Sequence, residues 1–146
     1  MRIPWWSTLG IDVVCVLAFA AAGRSSHAEE NTPGALVGTA WPFLVGLAVG
    51  WAVLAVVARR RDAGGQGPTT WARPVAIGVP LVVITWSVAM VLRATTDQGL
   101  SGAFPAVALG VLAALLVGWR CVAVLVSGAA RPRSAGRGHG TPAPGG

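Results

Sequence analysis

The chain holds 146 residues, enough for one ordinary domain; 54% are hydrophobic and only 11% charged, against roughly 25% in soluble globular domains. With a mean hydropathy of +0.67, this composition excludes a soluble enzyme, a disordered chain and a secreted disulfide scaffold, and indicates an integral membrane protein. The formal charge of +6 comes from eleven arginines and no lysine; they fall in short loops between apolar runs, where the positive-inside rule accounts for them, and nucleic acid is not an expected partner.

The first apolar run extends from about Trp5 to Gly23 and carries Asp12 near its middle. Met1-Arg2, the apolar stretch and Ala20-Ala21-Ala22 have the outline of a secretory signal. A signal core is normally free of charge, however, so Asp12 favours a retained helix. Cys15 does not follow a lipoprotein signal, because Asp12-Val13-Val14 is the wrong run-up and the apolar stretch continues past it. Cys15 and Cys121 both lie in apolar runs without CxxC or Cys–His spacing, so they read as small core hydrophobes, and neither a metal nor a cofactor is expected.

A polar turn, Arg24 to Gly34, leads to a second run, Ala35 to Ala58, of 24 residues without a charge. The basic loop Arg59 to Arg73 contains Gly64-Gly65-Gln66-Gly67-Pro68, which lacks the flanking strand and lysine of a phosphate-binding loop and reads as a linker. The third run, Pro74 to Leu92, has 19 uncharged residues, and the turn Arg93 to Gly102 joins it to the fourth, Ala103 to about Val126, with Arg120 inside. Spanning a hydrocarbon layer of about 30 Å takes about 20 residues at about 1.5 Å each, so all four runs qualify. They lack the alternation of barrel strands and are rich in Ala and Leu, which predicts helices. Residues 1–127 therefore form an all-α, four-helix transmembrane domain, and 128–146, full of Gly and Pro, a disordered tail.

An even number of spans puts both termini on one side. Arg2, Arg59, Arg60, Arg61, Arg73, Arg131, Arg133 and Arg137 share that side, eight against Arg24 and Arg93 on the other. That imbalance places the N and C termini in the cytoplasm of a multi-pass cell-membrane protein. Trp5, Trp6 and Trp71 fit the cytoplasmic aromatic belt.

Small residues recur every fourth position at Gly38, Pro42, Gly46 and Gly50 on the second helix. On the fourth the ridge Gly102, Ala106, Gly110, Ala114 and Gly118 is unbroken. Such ridges allow close helix contact in lipid, either within the chain or between copies in a homo-oligomer.

An ionisable group inside a span costs about 2.5–3.5 kcal/mol on insertion scales, so each needs a partner or a purpose. Asp12 and Arg120 lie at similar depth, about 10 Å from the same face, which suits an ion pair between the first and fourth helices. Two other readings are a proton or ion step at Asp12, and an Arg120 that snorkels to the interface beside Trp119. At the opposite face, alternating helix direction gathers Arg24, His27, Trp41 and Arg93 beside Pro42, which frees a backbone carbonyl in the first turns of its helix. Two guanidiniums and an imidazole suit an anionic lipid or solute. The plainer explanation is that arginines at helix C-termini complement the dipole.

Asp12, Phe19, Gly23-Arg24-x-Ser26-His27, Thr39-Ala40-Trp41-Pro42-Phe43-Leu44, Gly46 and Gly50-Trp51, followed by Met90-x-Leu92-Arg93, Gln98-Gly99, Phe104 and Gly118-Trp119-Arg120, form a recognisable set. On these residues the chain, from Asp12 to Arg120, resembles the small bacterial and archaeal membrane proteins grouped as domain of unknown function 3054. It departs from that pattern at Ala89, where Gly is expected, and at Val82, where Trp is expected. The resemblance implies a four-helix membrane domain and carries no activity. The residues themselves contain no catalytic constellation, so the expected function is a structural or interaction component of the cytoplasmic membrane rather than an enzyme. The alternative is a small-solute or proton transporter or channel subunit acting as an oligomer, resting on Asp12, Arg93 and Arg120; a membrane enzyme or lipid-handling protein, resting on the Arg24, His27 and Arg93 mouth, comes third.

Overall fold

A computed structural model of the chain describes residues 5–25, 32–63, 74–96, 98 and 102–129. Among the described residues there are four helices: α1 (Trp5–Ser25), α2 (Pro33–Ala63), α3 (Pro74–Thr95) and α4 (Phe104–Ala129). All four are long and apolar enough to cross a membrane. The tail expected from residue 128 does not begin there, since Gly128 and Ala129 still belong to α4; the rest of it and the linker between α2 and α3 lie outside the described residues, as do Trp71 and His27.

Proline marks the helix starts because its missing N–H is one of those left unbonded there anyway. Pro33 and Pro74 open α2 and α3, and Pro105 falls in the first turn of α4. Thr32 caps α2: its hydroxyl accepts the Ala35 N–H at 3.4 Å while its carbonyl takes Leu36 N–H at 2.9 Å. Before α4 the chain turns at Gly102 with φ +64°, a left-handed conformation that glycine adopts without steric cost. Gly102 thus belongs to the turn and not to the ridge of the fourth helix.

All four helices outrun their apolar stretches at the C-terminal end: α1 reaches Ser25, past Gly23, and α3 reaches Thr95, past Leu92, which puts Arg93 on a helix rather than in the turn. α2 continues five residues past Ala58, so Arg59, Arg60 and Arg61 lie on its last turns rather than in a loop. Arginine is a good helix former, and its charge complements the carbonyl end of the dipole. α4 likewise reaches Ala129, three residues beyond Val126.

Packing is between neighbours in sequence, with α1 closing the ring against α4. Each seam runs antiparallel. Phe19 meets Phe43 edge-on at 4.8 Å while Asp12 meets Trp51. Between α2 and α3, Gly46 lies against Thr85 and Gly50 against Leu81; between α3 and α4, Trp86 donates to the Pro105 carbonyl at 2.9 Å and Gly78 lies against Arg120. The core is apolar and continuous: Val16, Phe19, Phe43, Leu47, Leu81, Val82, Leu112 and Leu116 are buried together. Outward, α2 and α4 present valines and leucines such as Val53, Val56, Val107 and Leu125, the surface expected where lipid is the solvent.

The two small-residue ridges have different fates. On α2, Gly46 and Gly50 are buried against α3, and a Cβ at Gly46 would stand 2.4 Å from the Thr85 carbonyl oxygen. On α4, Ala106, Gly110 and Ala114 are exposed, and nothing lies within 4 Å of a Cβ placed at Gly110 or Gly118. Within the chain the ridges do not meet.

Candidate functional site

Two polar clusters sit at opposite ends of this bundle. The first is built around Asp12, eighth residue of α1 and fully buried. Antiparallel packing brings α4 to it at Arg120, itself only 1% exposed. The guanidinium engages the carboxylate with both terminal nitrogens, Nη1 to Oδ1 and Nη2 to Oδ2, each at 2.7 Å. This fork-to-fork geometry is the strongest pairing available to the two groups.

Two indoles complete the shell. Trp51 of α2 donates to Oδ2 at 3.1 Å, and Trp119 of α4 donates to Oδ1 at 3.0 Å. Each carboxylate oxygen therefore accepts one bond from Arg120 and one from a tryptophan. Arg120 also donates from Nη1 to the Leu116 carbonyl at 2.6 Å, and its guanidinium lies 4.7 Å from the Trp119 ring centre. α3 contributes space: a Cβ at Gly78 would come within 3.2 Å of both Arg120 Cδ and Val117 Cγ2. All four helices thus close on a single ion pair. Arg120 points inward to Asp12 instead of snorkelling to the interface.

The sequence pattern does not mark Trp51 and Trp119 as site residues. The available signal was general: an indole N–H in an apolar run needs an acceptor, and Asp12 is the strongest acceptor within reach.

The second cluster lies at the other end. Arg24, in the last turn of α1, donates from Nη1 to the Thr39 hydroxyl at 3.2 Å, and Thr39 in turn donates to the Ala35 carbonyl. Arg93, in the last turn of α3, is buried. Its Nη2 donates to the Gln98 carbonyl at 2.7 Å and its Nη1 to Gln98 Oε1 at 3.4 Å, while the guanidinium stands 4.4 Å over the Phe104 ring. Trp41 is half-buried on α2 beside the fully buried Pro42. Arg24 and Arg93 are thus engaged with their own chain, Arg93 folded under the α3–α4 turn rather than held open toward a ligand.

Gln98 is the unforeseen residue here. Pro42 has no N–H, so the Gly38 carbonyl, four residues earlier, lacks its helical donor. Gln98 Nε2 donates to that carbonyl at 3.3 Å. One amide therefore tethers the α3–α4 turn to the proline site in α2 while its backbone carbonyl holds Arg93. If the tether substitutes for the missing N–H, the two positions must be coupled. Gln98→Ala alone is expected to cost about 1 kcal/mol for that bond, beyond what Arg93 loses. In a Pro42→Ala background, where an N–H returns, that part should vanish, a coupling of about 1 kcal/mol in a double-mutant cycle of unfolding free energies in detergent. Strict additivity would show that the tether carries no load.

A family model described as "Protein of unknown function (DUF3054)" matches residues 9–123, a stretch that includes both clusters. No curated protein and no solved structure matches the chain.

Proposed function

The chain belongs to the DUF3054 family, and from that premise we propose that it is a structural or interaction component of the cytoplasmic membrane, without catalytic activity, its termini set in the cytoplasm by the arginine balance. The observation that carries this reading is the saturation of Asp12. Both carboxylate oxygens are already occupied by two N–H bonds each, from Arg120, Trp51 and Trp119. A proton arriving on either oxygen would have to displace one of them. The side chains are also packed away, 0% exposed for Asp12 and 1% for Arg120. A carboxylate that relays protons needs a water path and a free lone pair; this one serves as a lock between helices.

Reconstitution tests the proposal. Liposomes containing the purified protein, a trapped pH-sensitive dye and an imposed potassium-diffusion potential are expected to acidify no faster than protein-free liposomes. Proton entry above that background, abolished by Asp12→Asn in protein shown to be folded, would overturn the structural reading in favour of a transporter.

A further inference from the structure

The outer face of α2 carries a shallow groove of about 340 Å³, lined by Ala52, Val53, Val56, Val57 and Arg60. These positions follow the helical spacing i, i+1, i+4, i+5 and i+8, so they form one stripe along the axis. Small side chains leave the channel open: Val53, Val56 and Val57 are 41%, 49% and 39% exposed. From Ala52 to Val57 the apolar part of the stripe runs about 7.5 Å at about 1.5 Å per residue, about half the depth of one leaflet's hydrocarbon, and Arg60 lies about one helical turn beyond it. The candidate membrane span of α2, Pro33–Arg61, has 29 residues, or about 43 Å. That is comparable to a bilayer including its headgroups, about 40–45 Å, so a helix centred in the membrane would bring Arg60 near phosphate level. Arg59 and Arg61 flank it, both exposed, with Asp62 next in the chain, so the end of the stripe is net positive.

We infer that this groove binds an anionic phospholipid, one acyl chain lying along Ala52, Val53, Val56 and Val57 and the phosphate held by Arg60. A guanidinium fits a phosphate through paired N–H donors, and a methylene chain fits a channel walled by valines. Charge argues against a second copy as the occupant. A two-fold pair of parallel chains on this face would set one Arg60 against the other at the membrane boundary. A lipid phosphate supplies the opposite charge. The site is separate from the two inward-facing clusters and does not depend on how Asp12 is read.

The test uses the full chain in detergent, with bound lipid followed by native mass spectrometry. Phosphatidylglycerol is expected to be retained on the protein where phosphatidylcholine with the same chains is not. Arg60→Gln should weaken retention about five-fold, the effect of about 1 kcal/mol per arginine near a lipid surface. Val56→Trp, which fills the channel on an exposed face, should also abolish selective retention while the lipid-free unfolding temperature stays unchanged. Equal retention of the two lipids, or retention unaffected by both substitutions, would overturn the proposal. So would a Val56→Trp variant that changes only the oligomeric state, which would make the groove a contact between copies.

Discussion

Asp12→Asn is expected to be among the most destabilising single changes in this protein, at about 3–5 kcal/mol, because it breaks a buried pair and leaves the Arg120 charge uncompensated. The cost goes beyond lost attraction. The two oxygens of Asp12 face four N–H donors. An amide replaces one oxygen with a further donor, so either Arg120 and Trp51 or Arg120 and Trp119 lose their shared acceptor. Exchanging the pair, Asp12→Arg with Arg120→Asp, should recover part of the loss by restoring opposite charges. Recovery should stay partial, because the Trp51 and Trp119 N–H groups aim at position 12 and a guanidinium there accepts nothing. The measurement is reversible unfolding in mixed micelles, comparing both single variants, the exchange and the wild type. An exchange no better than the worse single variant would show that the charge pairing does not hold α1 to α4.

The second large effect is expected at Gly46, and it separates two ridges that look alike in sequence. A Cβ there meets the Thr85 carbonyl oxygen at 2.4 Å and Thr85 Cα at 3.1 Å. These are backbone atoms, so no rotamer relieves the clash and α2 must move off α3. Overpacking of this kind costs about 1–3 kcal/mol, and Gly46→Ala belongs at the upper end, less about 1 kcal/mol regained in helix propensity. Gly46→Leu should prevent the α2–α3 seam from forming. Gly50→Ala should be milder, since the nearest atom, Leu81 Cδ1 at 2.7 Å, is the end of a side chain that can rotate. Gly110→Ala on α4 meets nothing within 4 Å and should be neutral or stabilising by up to about 1 kcal/mol. Thermal unfolding of the three alanine variants checks the order. A Gly110→Ala loss as large as that of Gly46→Ala would mean that the α4 ridge is buried against another copy.

The sequence by itself determined the four spans, because a backbone in lipid must satisfy its own hydrogen bonds and a run of about 20 apolar residues does so only as a helix. It also singled out Asp12 and Arg120, since the cost of a charge in such a run is local and needs no fold to be recognised. Tertiary structure decided the rest, because composition and period leave each helix free to rotate about its axis until packing fixes which face turns inward. That rotation sends Gly46 into the bundle and Gly110 out of it. It brings Trp51 and Trp119, 68 residues apart in the chain, onto one carboxylate. It also packs Arg93 against Phe104 and Gln98 rather than turning it out toward a ligand. The Gly38 carbonyl shows both levels together: Pro42 announces in sequence that a donor is missing, and only the packed bundle shows that Gln98, 60 residues away, provides it.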